Sequence, residues 1–151
     1  MPAFEPQDPE FRARIAASFK RQTAMASLGI TLERVEAGEV ELAMPYNAAF
    51  TQQHGFIHAG IMATALDSAC GYAGFTLMPA EAAVLTIEFK INLLAPAKGE
   101  RFTFHGRVIK PGRTITVCEG QAFAHEGAVS KLVVTMSATL MTLIGREGVS
   151  S

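Results

Sequence analysis

Asp67 is the only fixed charge between Phe50 and Glu81, and the residues around it (61–72, IMATALDSACGY) are mostly apolar. An unpaired carboxylate is costly to bury, so a lone one in an apolar helix needs a reason. Catalysis is the first reason, with the carboxylate acting as a general base or as a nucleophile. No cation lies near it in the sequence to depress its basicity. The alternative is a structural aspartate that Ser, Thr or backbone groups of a partner satisfy.

A short segment upstream of Asp67 could bind the oxygen that becomes negative in such a reaction. His58, Ala59 and Gly60 open the predicted helix that carries Asp67. Free N–H groups at a helix start, aided by the helix dipole, bind an oxygen that becomes negative. Small residues at 59 and 60 let a carbonyl reach those donors, as an oxyanion hole requires. Asp67 follows His58 by about two and a half turns, so it does not share these donors.

Composition narrows the class of protein. The 151 residues suit one domain with a sizeable core, and the net charge of −1 gives no reason to expect nucleic acid or an anionic membrane. Cys70 and Cys118 have no metal-binding or redox spacing, so we expect buried, reduced thiols and no metal. Residues 1–8 have neither a basic start nor an apolar run, which predicts no signal peptide and a cytoplasmic protein.

The stretch from Ile57 to Met78 has two interpretations, a membrane-spanning helix and a helix in the core of a domain. It is long enough to cross a bilayer and mostly apolar. However, it is rich in small residues, carries Asp67, and lacks flanking Lys or Arg belts. A core helix wrapped by a sheet is therefore the better interpretation.

Hydrophobic periodicity predicts an α+β domain in which one sheet curls around a central helix. Residues 1–28 form an N-terminal helical extension, 29–145 the single domain, and 146–151 a disordered tail. A curled sheet leaves edges to be covered, so an oligomer is expected. The predicted elements are a helix at 9–28 that Asp8 caps, strands at 30–36 and 39–44, a helix from 58 to about 78, and strands at 83–94, 102–110, 115–125 and 128–143.

The motifs resemble those of a known family. His58-Ala59-Gly60 followed by Leu66-Asp67-Ser68-Ala69 resembles the His-Gly-Gly…Leu-x-Asp-x-Ala signature of hotdog-fold acyl-CoA thioesterases. The strand at 84–97, which ends in Pro-Ala, and the turn at 110–113 (KPGR) are similar to the same family over roughly residues 29–143. The branch that this chain most resembles is the phenylacetate-pathway type, which includes medium- and long-chain acyl-CoA thioesterases.

This resemblance implies roles for four residues in catalysis. Asp67 takes the position of the catalytic carboxylate, and the N–H of Ala59 that of the donor to the thioester carbonyl. Gln52 falls where the family has an Asn or Gln that orients thioester or water. Thr86 matches a Ser or Thr that helps to hold the attacking water across the dimer. Ala59 replaces the usual first glycine, so a methyl group narrows the approach while the N–H remains.

The resemblance also implies residues that bind the substrate. His58 and Gly60 shape the helix start, and His54 lies in the preceding loop, where it can line the acyl pocket. Arg113, with Lys110, sits in the turn near the nucleotide end of coenzyme A. The implied partner is an acyl-CoA, with no organic cofactor, and the implied assembly is a homodimer that pairs into a homotetramer.

Two rival functions remain open from the sequence. A hotdog hydratase or dehydratase acting on acyl thioesters would use His54 or His58 with an acidic residue. A non-catalytic acyl-CoA-binding module would need no base at all. Each singled-out residue also has an ordinary structural explanation: His58 as a loop-fixing ring, Gln52 as a loop amide, Thr86 as a strand former, and Arg113 as a solvated turn residue.

Overall fold

The computed structural model describes residues 4–151, so the first three residues of the predicted N-terminal extension lie outside the described part. The helices are α1 (Phe11–Arg21), α2 (Thr23–Leu28) and α3 (Ala59–Phe75). The strands are β1 (Thr31–Glu36), β2 (Glu39–Pro45), β3 (Ala82–Leu93), β4 (Arg101–Lys110), β5 (Ile115–Glu126) and β6 (Val129–Ile144).

All six strands form one antiparallel sheet in the order β1-β2-β4-β5-β6-β3. The strands bury alternate side chains, most clearly along β2 and β5, and these side chains pack on α3. The helix has buried residues on most of its circumference. The predicted α+β architecture, a sheet around an apolar helix, is therefore confirmed.

Glycines let the backbone of α3 come close to the middle of the sheet. A Cβ at Gly106 on β4 would lie 2.3 Å from the carbonyl oxygen of Ala69 and 2.6 Å from the backbone nitrogen of Cys70. A Cβ at Gly120 on β5 would lie 3.0 Å from the sulfur of Cys70. Because the sheet has no side chain at these points, the helix backbone lies almost directly on the strands.

The N-terminal segment is broken where the sequence predicted a single helix at 9–28. The helix begins at Phe11, and Gln22 adopts φ −82° and ψ 89°, which separates α1 from α2. Asp8 still accepts from the N–H of Glu10, over 2.9 Å. In the short helix after the break, Met25 is buried and Ala26 is exposed.

Helix α3 ends at Phe75, three residues before the predicted end. Arg14 of α1 donates to the carbonyls of Phe75, Met78 and Pro79 over 2.7–3.0 Å, and it lies 3.1 Å from a carboxylate oxygen of Asp8. A guanidinium that satisfies the last carbonyls of a helix stabilises its end. Burial lowers the pKa of Arg14 from its usual value, although Asp8 opposes this.

Among residues 4–151, no strand pairs with the outer edge of β3, which is one long edge of the sheet. Leu85, Ile87 and Phe89 on this edge are 50%, 50% and 41% exposed. An apolar edge of this length favours pairing with another chain.

Within residues 4–151, no helix has the length and hydropathy to cross a membrane.

The contact at Gly106 predicts a defined loss of stability. Gly106→Ala should lower the free energy of unfolding by about 1–3 kcal/mol, because the new methyl group meets helix backbone that cannot move alone. Gly71→Ala is the matched control, since a Cβ there meets nothing within 4 Å and alanine favours the helix by roughly 0.5–1 kcal/mol. Urea unfolding of both variants measures the difference. Equal stability of the two would contradict the close packing.

Candidate functional site

Asp67 lies in the middle of α3, half-buried, with its side chain toward β3. The hydroxyl of Thr86 donates to Oδ1 of Asp67 over 2.7 Å. The expectation of an unpaired carboxylate was therefore wrong, because Thr86 holds one oxygen and Oδ2 is left for other contacts. Thr86 belongs to the same chain as Asp67 in this contact, and its expected role across a dimer stays a prediction.

A cavity of about 480 Å³ opens beside Asp67, within the usual range for small-molecule sites. Its walls come from α3, from the start of β3, from the C-terminal residues Ser150 and Ser151, and from the junction of α1 and α2. The junction contributes Arg21, so the three-dimensional surroundings of Asp67 contain a cation that the local sequence lacks.

The start of α3 is organised by His58, which is its N-cap residue. Nδ1 of His58 accepts from the N–H of Gly60 over 3.0 Å. This bond fixes the ring and uses the N–H of Gly60, so Gly60 is not an open donor as the sequence suggested. Ala59 is the first helical residue, and no hydrogen bond within residues 4–151 uses its N–H. Ala59 is therefore the donor that remains for an oxyanion.

A second cavity, of about 520 Å³, lies at this helix start. Phe56, Met62 and Leu93 give it apolar walls, and Gln52 and Ala59 lie on its rim. Oε1 of Gln52 accepts from the N–H of His54 over 2.6 Å and from that of Phe56 over 3.4 Å. The Gln52 oxygen thus shapes its own turn, which leaves its amide nitrogen as the group for a substrate.

The structure does not bring all predicted residues to one place within a single chain. Asp67 follows Ala59 by eight residues, which puts them roughly 12 Å apart along the helix axis at about 1.5 Å per residue. The two therefore cannot contact the same carbonyl group from one chain. His54 is exposed and is not part of the cavity wall at the helix start.

Arg113 and Lys110 lie far from the helix start. Arg113 lines a different cavity with Gly74 and Leu77, at the opposite end of α3 from Ala59. Lys110 is exposed at the end of β4. Their predicted contact with the nucleotide of coenzyme A stays a prediction.

The two cysteines are buried and free, as expected. Burial raises the pKa of the Cys70 thiol well above its usual value, and the neighbouring Cys118 adds to the shift. Burial likewise raises the pKa of Cys118 to about 12. Neither is a thiolate near neutral pH, so neither is a nucleophile. No group of three or more His, Cys, Asp or Glu side chains gathers as a metal site in the described part of the chain.

Sequence reasoning missed a polar group beside Asp67 that centres on Gln22. Nε2 of Gln22 donates to the hydroxyl of Tyr72 over 3.1 Å, and the hydroxyl of Ser68 donates to Oε1 of Gln22 over 3.1 Å. Ser18 lies 3.2 Å from the same Tyr72 hydroxyl. No sequence pattern pointed to Gln22, because glutamine is an ordinary residue in a helix interior.

Comparisons with known proteins show the family to which this fold belongs. A sequence model of the thioesterase superfamily matches residues 54–131. A thioesterase family protein from Silicibacter pomeroyi, of known crystal structure, is 56% identical with a TM-score of 0.88, over 89% of this chain and 99% of that chain.

The chain belongs to the thioesterase superfamily. The predicted hotdog fold and the predicted class of enzyme, a thioester hydrolase, agree with this membership. A protein of Saccharolobus solfataricus, provisionally assigned as an esterase, is 36% identical over 92 residues, 61% of this chain and 65% of its own length. The medium/long-chain acyl-CoA thioesterase of Escherichia coli is 29% identical over 106 residues, 60% of this chain and 68% of its own length.

The capping contact of His58 predicts which substitutions position 58 tolerates. His58→Asn should keep the cap and the thioester hydrolysis, because asparagine also accepts from the second or third N–H of a helix. His58→Ala should lower the free energy of unfolding by about 0.5–2 kcal/mol through loss of the cap. Denaturant unfolding and thiol release from an acyl-CoA measure the two effects. Loss of turnover in a folded His58→Asn variant would assign the ring a chemical role instead.

Proposed function

We propose that this protein hydrolyses the thioester of an acyl-CoA, with a medium- or long-chain fatty acyl or an aryl-acyl group, to the free acid and coenzyme A. The observation that carries the proposal is the Thr86–Asp67 hydrogen bond, 2.7 Å long, on the wall of a cavity. It orients a carboxylate whose second oxygen accepts no hydrogen bond from residues 4–151. The relatives that are thioesterases support the same reaction.

The steps follow from the donors and acceptors in the site. Asp67 accepts a proton from water as the water oxygen attacks the thioester carbonyl carbon. The N–H of Ala59 stabilises the negative charge that develops on the carbonyl oxygen. The carbon–sulfur bond then breaks, and the departing sulfur takes the proton from Asp67. The alternative, in which Asp67 attacks the carbonyl carbon itself, would leave an acyl group on Asp67 that mass spectrometry detects after rapid denaturation.

The site is complete only when two copies of the chain meet. Asp67 and Ala59 are too far apart in one chain, and β3 offers an apolar edge with Leu85, Ile87 and Phe89 exposed. We propose a homodimer joined along β3, in which the Ala59 N–H of one protomer faces Asp67 of the other. Pairing of two such dimers into a tetramer is the further expectation from the family resemblance.

The rival hydratase would need a histidine beside Asp67. Within one chain neither His58 nor His54 is placed there, because His58 caps α3 through Nδ1 and His54 is exposed outside the cavity wall. In the proposed dimer, His58 of one protomer would lie near Asp67 of the other, with Nε2 not used by the cap. Incubation with an enoyl-CoA separates the reactions, because hydration releases no thiol. A binding module would hold acyl-CoA without releasing thiol.

Asp67→Asn tests the carboxylate. The variant should lower kcat/KM for acyl-CoA hydrolysis on the order of a hundredfold or more, because the amide cannot accept the proton. Thr86→Val should lower it by a smaller factor, since it removes only the orienting hydroxyl, while Thr86→Ser should retain most activity. Thiol release measures all three. A folded Asp67→Asn variant with wild-type turnover would refute the proposed function.

Ala59→Pro tests the oxyanion donor and the shared site together. Proline suits the first position of a helix, so this change removes the N–H and leaves α3 intact. We expect a loss of roughly 10²–10³ in kcat, and Ala59→Gly is the control that keeps the N–H. Subunit exchange between Ala59→Pro and Asp67→Asn proteins should restore about a quarter of wild-type activity, because half of the dimers regain one intact site. No recovery after verified exchange would place both groups in one protomer's site.

A further inference from the structure

The polar group around Gln22 forms a wall of the Asp67 cavity that the proposed reaction does not use. Ser18, Gln22, Ser68 and Tyr72 all line this cavity. Ser18, Ser68 and Tyr72 are 9%, 9% and 6% exposed. Polar groups are buried like this only when hydrogen bonds satisfy them, and Gln22 supplies bonds to two of them.

The backbone departs from regular helical geometry at Gln22, and this departure positions the side-chain amide of Gln22. Gln22 is the residue at which α1 stops and α2 begins, with a backbone outside the helical region. Its side chain then reaches both Ser68 and Tyr72, which lie on one side of α3, four residues apart. The junction therefore fixes the side of the cavity that faces away from β3.

The wall retains hydrogen-bonding capacity after its internal bonds are made. Gln22 has a second amide hydrogen and a second lone pair on Oε1, and both serine hydroxyls have free lone pairs. Arg21, next to Gln22, lines the same cavity and forms no ion pair within the described residues. The wall thus offers donors, acceptors and one positive charge.

A substrate segment that extends from Asp67 toward Tyr72 reaches this wall after a distance set by α3. Tyr72 lies five residues after Asp67, roughly 7.5 Å along the axis of α3. An acyl chain of medium length would place its far end there if its carbonyl lies at Asp67 and the chain runs toward the C-terminal end of α3. An unsubstituted alkyl end would strip water from the polar groups without replacing its hydrogen bonds, which is unfavourable.

We propose that Gln22 is a specificity-determining residue that makes this cavity select acyl groups with a polar far end, a hydroxyl or a carboxylate, over plain alkyl groups of the same length. Arg21 adds preference for the carboxylate. The inference rests on the proposed thioesterase function and names the acyl class for that site.

The test compares three thioesters of equal chain length: octanoyl-CoA, ω-hydroxyoctanoyl-CoA and the mono-CoA thioester of octanedioic acid. Wild type should hydrolyse the two polar substrates with kcat/KM about tenfold above that of octanoyl-CoA. Gln22→Leu should remove or reverse this preference. Arg21→Gln should reduce only the advantage of the carboxylate. Gln121→Leu, on the outer face of the sheet, is the matched control and should leave all three values unchanged.

A second variant covers the case in which Gln22→Leu fails to fold. Gln22→Leu combined with Ser18→Ala, Ser68→Ala and Tyr72→Phe makes the wall apolar and removes every side chain that bonds to Gln22 or Tyr72, so this quadruple variant should fold. It should favour octanoyl-CoA. A folded variant that keeps the wild-type ratios would overturn the inference. So would an equal loss for all three thioesters, which would assign the wall to the amides of the pantetheine arm.

Failure of the proposed function gives a separate result. If wild type hydrolyses none of the thioesters, the reaction is refuted, and the selectivity is measured from calorimetric binding of the three intact thioesters. Tighter binding of the two thioesters with a polar far end, lost in Gln22→Leu, would support the inference. Equal binding of all three thioesters would overturn it.

Discussion

The close approach of α3 to the centre of the sheet determines where every group of the site lies. Gly106 removes the side chain that would collide with the carbonyl of Ala69, and Gly120 does the same opposite Cys70. With this face of the helix against β4 and β5, its rotation is fixed. Asp67 then faces β3, where Thr86 binds it, and Tyr72 faces the junction of α1 and α2.

Most of the fold could be predicted from the sequence because the signals for its elements were periodic and local. Hydrophobic periodicity and the small residues of α3 predicted most elements to within a few residues. The end of α3 was missed because Arg14, distant in the sequence, satisfies its last carbonyls. The break at Gln22 was missed for the same reason: its bonds to Ser68 and Tyr72 are tertiary and override a helical preference.

The sequence pointed to candidate site residues more readily than to their contacts. A lone Asp67 in an apolar helix and a small-residue helix start suggested the proposed chemistry from the chain alone. The sequence could not reveal that Thr86 contacts Asp67 within one chain, or that His58 uses the N–H of Gly60. Such facts depend on side-chain directions and on strand register, which a one-dimensional pattern does not contain.

The proposed active site consists of two half-sites, each chemically incomplete on its own. Asp67 has an oriented carboxylate but no oxyanion donor beside it, and Ala59 has an N–H without a partner in residues 4–151 but no base beside it. The most direct test is a crystal structure of the Asp67→Asn protein with an intact acyl-CoA bound. A shared site predicts a thioester oxygen on the Ala59 N–H of one protomer and its carbonyl carbon beside position 67 of the other. A thioester bound by residues 59 and 67 of the same protomer, or bound away from both, would contradict it.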